Sequence, residues 1–143
     1  MSRKILVPVD GSPASLRAVD FAINMVGQDP GTSLVLLHVQ DMPAISLAEA
    51  SAMPHERPDT PASQASAQAL KHATEKAEEA GVPFKTLVNA GKTAEIIAQV
   101  AREEDVKHIV MGTRGLGGVQ GLLLGSVTTK VIHLAEVPIT LIK

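Results

Sequence analysis

Almost unbroken aliphatic runs recur along the chain, at Ile5 to Val9, Leu34 to Val39, Phe84 to Val88, His108 to Met111 and Ile139 to Ile142. Runs of this length without polar alternation suit strands of a parallel sheet covered on both faces. Helical periodicity fills the gaps between them. Ser12 reads as the cap of a first helix with Pro13 at its first position, Ala18, Phe21, Ala22 and Met25 inward, and Gly27 as the stop. An alanine-rich, charged helix is expected from about Ala65 to Ala80, before Gly81. A third helix is expected to begin at a Thr93 cap with Ile97, Val100 and Ala101 inward, and a fourth at a Ser126 cap with Val127, Val131 and Leu134 inward. The order βαβαβαβαβ predicts an α/β fold: a doubly wound, five-stranded parallel sheet with four main helices and right-handed crossovers. Ligands of such sheets bind beyond the carboxyl ends of the strands, where the winding reverses.

The segment from Gln40 to Gln64 breaks the rhythm and holds Pro43, Pro54, Pro58 and Pro61. Connections this long are usually functional or disordered. An excursion at the rim of the crevice is expected, either a lid or a solvated connector, with a short helix near Ile45 to Ala52.

A chain of 143 residues with 45% hydrophobic content is the size of one domain and can bury a core. Two Phe and no Tyr or Trp leave that core to aliphatic side chains and Met, and disfavour a flavin sandwiched between aromatic rings. With no cysteine, thiol catalysis, disulfides and thiolate metal sites are excluded. A net charge of -2 offers no basic field for nucleic acid. Met1 to Lys4 leads straight into a strand without a signal-peptide core, and no apolar run approaches the length of a membrane span. A cytoplasmic protein without membrane insertion is expected.

The most specific feature follows the fourth strand. Residues 112–126 read GTRGLGGVQGLLLGS, with Gly112 and Gly115 separated by two residues and Gly125-Ser126 following nine residues later. A strand that runs into close glycines and resumes as a helix opening on a hydroxyl residue suits an anion. Main-chain N–H groups approach phosphate oxygens where no Cβ intervenes, and a helix N-terminus adds partial positive charge.

This spacing, followed by Val127 and Thr128, resembles the nucleotide-binding signature of the universal stress protein family, in its ATP-binding branch. The opening Ile5-Leu6-Val7-Pro8-Val9-Asp10-Gly11-Ser12 resembles the family's first strand and acidic turn, and Pro138-Ile139-Thr140-Leu141-Ile142 its closing strand. The resemblance implies strand order 3-2-1-4-5, which brings the turns after strands 1 and 4 together. It implies a nucleotide, ATP; magnesium and manganese are ions that commonly accompany such a ligand, through phosphate oxygens and water. Gly112, Gly115 and Gly125 would face the phosphates, with the Ser126 hydroxyl and the amides of Val127 and Thr128. Asp10 would contact adenine or ribose, although an Asx turn or helix cap is the plainer role for it. Val39 would offer main-chain groups to the adenine edge, Pro8 and Val9 would form the floor, and Met111 would pack near the ribose. Arg114 stands where relatives carry a histidine or another polar residue, and its guanidinium could pair with phosphate.

Two other patterns carry less. Gly91-Lys92-Thr93 looks like the end of a phosphate loop, yet the glycine required five positions earlier is Thr86. The histidines at 38, 55, 72, 108 and 133 lack metal-ligand spacing, and only His38, beside Val39, is expected to face the crevice. Phosphoryl transfer needs a positioned metal, a base and cationic clamps, so turnover is expected to be slow or absent. The leading expectation is a regulatory nucleotide sensor whose occupancy switches a partner, with a slow ATPase timer as the alternative. The resemblance further implies a homodimer through the fifth strand, between Val137 and Ile142, and a partner that is a protein, an enzyme or a transporter.

Overall fold

In the computed structural model, residues 2–41, 61–113 and 124–143 are described. The elements are β1 (Arg3–Pro8), α1 (Pro13–Gln28), β2 (Thr32–Asp41), α2 (Pro61–Ala80), β3 (Phe84–Gly91), α3 (Thr93–Glu103), β4 (His108–Gly112), α4 (Ser126–Leu134) and β5 (Ile139–Ile142). The five strands form one parallel sheet in the order β3-β2-β1-β4-β5. The fold class and strand order are those expected.

Alternation along each central strand divides the core between the two faces. Ile5, Val7, Leu34 and Leu36 meet α1 and α2 through Ala18, Val19, Ala22, Leu70, Ala73 and Ala77. Leu6, Val35, Leu37 and Ile109 meet α3 and α4 through Ile97, Val100, Ala101 and Val131. The buried residues of both layers are aliphatic, many of the helical ones alanines, and Phe84 packs from the sheet edge against the first layer. At the edges the pattern loosens. β3 presents exposed Lys85, Thr86 and Val88, so it is not covered on both faces as its apolar run suggests. Behind it, Lys85 and Lys4 hold the Glu104 carboxyl below its usual range, with burial opposing them.

Several helix details differ from expectation. Gly27 lies inside α1, which runs to Gln28. Phe21 points outward at 41% exposure, because it falls outside the arc formed by Ala14, Ala18 and Ala22. α2 begins at Pro61, ahead of Ala65. The cap of α3 is Lys92 and that of α4 is Gly125, so Thr93 and Ser126 are the first helical residues. Val131 and Thr128 are the buried residues of α4, while Val127 and Leu134 are exposed. The excursion expected between residues 40 and 64 lies mostly outside the described residues, including the short helix near Ile45 to Ala52.

Candidate functional site

The sheet opens where its winding reverses. Arg3 N–H donates to Gly31 and Val9 N–H to Leu37, so odd residues of β1 turn their main chain towards β2. Lys107 N–H donates to Lys4, so even residues turn towards β4. Pro8 is an even residue without an N–H, so it can donate no ladder bond on that side. Pairing of β1 with β4 stops at Leu6 with Ile109, whereas β1 with β2 continues to Pro8 with Leu37. The gap beyond forms the floor of a crevice of about 360 Å³ at the carboxyl ends of the strands.

The ends of β1, β2 and β4 and the starts of α3 and α4 surround it. After β1, Asp10 accepts the Ser12 N–H at 2.9 Å, the Asx-type bond of the plainer role, and Gly11 takes a φ of +83° to turn the chain. Ser12 caps α1 by accepting Ser15 N–H at 3.2 Å, with Pro13 first in the helix as expected. On β2, Leu37 faces β1 and therefore so does Val39, two residues on. Since the β1 ladder ends at Pro8 with Leu37, no strand of the described residues pairs with the Val39 main chain on that side. His38 also lines the crevice, its Nδ1 2.8 Å from the Val9 carbonyl oxygen.

The turn after β4 closes on itself. Gly125 N–H donates to the Thr113 carbonyl at 2.8 Å, and the Thr128 hydroxyl donates to the Gly112 carbonyl at 3.1 Å. These bonds hold the start of α4 over the end of β4. Thr129 N–H makes the first intrahelical bond to Gly125, which leaves the amides of Ser126, Val127 and Thr128 without a helical acceptor, and the N-cap, a glycine, has no side chain to offer them. They are the anion-attracting end of the crevice.

Two glycines have packing reasons of their own. A Cβ on Gly112 would stand 2.9 Å from Ala14 Cβ and 3.0 Å from Ala14 C, so this residue is the seat on which α1 rests. A Cβ on Gly125 would stand 3.3 Å from the Thr113 carbonyl oxygen. Its amide is already engaged there.

Of the residues singled out from the sequence, Pro8, Val9, Asp10, Val39, Met111, Gly112, Gly125, Ser126, Val127 and Thr128 all line this crevice. Arg114 and Gly115 lie outside the described residues. Sequence reasoning missed Asp41, Thr93 and Ile97, which also line it. Their signal was topological: every βα turn of a doubly wound sheet falls on the carboxyl side, so Asp41 at the end of β2 and Thr93 at the start of α3 belong to the same rim.

Residues 1–143 match the family model described as Universal stress protein family. The chain belongs to the universal stress protein family. The universal stress protein YxiE of Bacillus subtilis is 32% identical, with all of both chains covered. Among solved structures, that of the protein MJ0577 superposes with a TM-score of 0.82 at 26% identity, over 100% of this chain and 96% of that one. The universal stress protein of Archaeoglobus fulgidus, solved in complex with dAMP, has a TM-score of 0.72 at 20% identity over 100% and 98% of the two chains. Other universal stress protein neighbours of this fold were solved with AMP, from Arabidopsis thaliana, and with cAMP. Among the described residues of this family member, no helix is long and apolar enough to cross a membrane.

Proposed function

We propose that the crevice binds ATP and that its occupancy regulates a partner, making the protein a nucleotide sensor of the stress response. The observation that carries this reading is the pairing of the first-turn amides of Ser126, Val127 and Thr128, which have no intrahelical acceptor, with the Val39 main chain at the other end of one crevice. Phosphates would lie over the start of α4, with Gly112, Gly125 and the loop containing Arg114 and Gly115 around them. The base would reach Asp10 and Val39 above Pro8 and Val9, with Met111 below the ribose. A volume of about 360 Å³ lies within the range of small-molecule sites, roughly 300–1,000 Å³. The adenine nucleotides held by neighbours of the same fold support the ligand class.

Magnesium or manganese would be held chiefly by phosphate oxygens and water, since the described residues contain no group of three metal-ligating side chains. In this reading turnover is slow or absent, because the two acids of the lining already serve local structure, Asp10 accepting the Ser12 N–H and Asp41 the Thr93 hydroxyl. The bound and empty states would differ in affinity for a cytoplasmic partner, an enzyme or transporter among them, and ATP must bind those states unequally for occupancy to matter. The protein would act as a homodimer through β5.

Ser126→Pro tests the phosphate end. Gly125 has φ -71° and ψ 162°, a conformation suited to a residue before proline, and proline is favoured at the first helical position. The helix should persist while one amide donor disappears. Set against Ser126→Ala, which removes only the hydroxyl, calorimetry should show ATP binding weakened by about 1.5 to 3 kcal/mol. Equal affinities for the two variants would refute the amide contact.

A further inference from the structure

We propose that Asp41 gives the crevice one anion-binding end by closing the other to phosphate. Two helices begin at this rim: Thr93 of α3 lines the crevice, as do Ser126, Val127 and Thr128 of α4. Neither is capped by a side chain of its N-cap residue, Lys92 or Gly125. Both helix ends would attract an anion on backbone grounds alone. Their surroundings are of opposite character.

At α3, Asp41 ends β2 in register with Gly91 and accepts the Thr93 hydroxyl at 3.2 Å, which fixes its carboxylate beside the first turn. Glu95 adds a second acid to that turn, paired with Lys130 of α4 at 2.8 Å. The first turn of α4 carries no acid. Lys92, the cation at the start of α3, does not line the crevice, whereas Asp41 does. A phosphate brought to this end would meet a full negative charge a few ångströms away, which outweighs the half charge of one helix terminus. Asp41 is thus a specificity-determining residue. It admits elongated ligands with one anionic end and an uncharged, hydrogen-bonding end, as in nucleoside phosphates, and rejects molecules phosphorylated at both ends. The identity of the ligand rests on the proposed nucleotide function; the asymmetry of the two helix ends does not.

Asp41→Asn keeps the side-chain shape and an oxygen for Thr93 while removing the charge. Inorganic pyrophosphate is titrated into both proteins while backbone amide shifts are followed by NMR. In the parent, shifts should appear at Ser126, Val127 and Thr128 and be absent at Thr93, Ala94 and Glu95. In the variant, Thr93, Ala94 and Glu95 should shift as well, with apparent affinity there raised about tenfold or more over the parent. Unchanged behaviour at residues 93–95 overturns the inference, as does a parent that already binds pyrophosphate equally at both ends. ATP titrated into the parent is the separate control: absence of shifts at 126–128 overturns the nucleotide reading, while the comparison at 93–95 still decides the role of Asp41.

Discussion

Gly112→Ala separates the two reasons for having a glycine at the end of β4. The new methyl carbon would sit 2.9 Å from Ala14 Cβ, 3.0 Å from Ala14 C and 3.1 Å from Ser15 N. Ordinary carbon contacts lie at about 3.5–4.0 Å, so α1 would have to retreat by roughly 0.5–1 Å. It has little freedom to do so. Ala14, Ala18 and Ala22 are buried along its inner face, and Ser12 and Ser15 tie its first turn through two hydrogen bonds. Overpacking of this kind costs about 1–3 kcal/mol. For a domain of 143 residues that corresponds to a fall in Tm of roughly 3–10 °C. Urea unfolding should show a lower midpoint with an unchanged slope, the mark of altered stability rather than altered compactness. Combining the change with Ala14→Gly, which removes the nearest atom, should cost less than the sum of the single changes. Parental stability together with lost ATP binding would refute this account and return Gly112 to the ligand.

Two other expectations concern β4 and β5. His108 contacts the Thr140 hydroxyl at 2.7 Å, and burial holds its imidazole below the usual histidine pKa. Its neutral form is favoured in the folded state, so stability is complete above an unfolded pKa of about 6.5 and is lost as pH falls through the lower folded value. Urea unfolding from pH 7.5 to 5 should therefore fall more steeply for the parent than for His108→Gln, and parallel profiles would exclude His108 as a source. β5 is a sheet edge of half-buried Ile139, Thr140, Leu141 and Ile142, with exposed Ile132 and Leu134 on the neighbouring α4. Sedimentation at micromolar protein should give a dimer mass that reverts to monomer in Leu141→Lys, whereas a monomeric parent would rule out the β5 dimer.

Much of the fold was legible because parallel strands buried on both faces write themselves as aliphatic runs, and because Ser12-Pro13 and Gly81 mark helix ends through local backbone preferences. What misled were properties of the assembled layers. Phe21 lies just outside the buried arc of α1, and Val127 and Leu134 look inward by spacing, yet whether an apolar side chain is covered depends on how far the neighbouring layer extends. The caps of α3 and α4 were read one residue late because Thr93 and Ser126 are good capping types; their hydroxyls sit instead inside the helices, and Thr93 is drawn to Asp41 from another strand.

The sequence by itself determined the order of elements, the two-faced aliphatic core and the glycine and hydroxyl residues after β4, since each depends on neighbours within a few positions along the chain. Only the tertiary structure decided that Pro8 ends the β1–β4 ladder on the side where the crevice opens, that Gly112 is a seat for α1, and that Asp41 stands beside the start of α3. Those facts depend on strand register and helix docking between segments far apart in the chain, which short-range spacing does not encode.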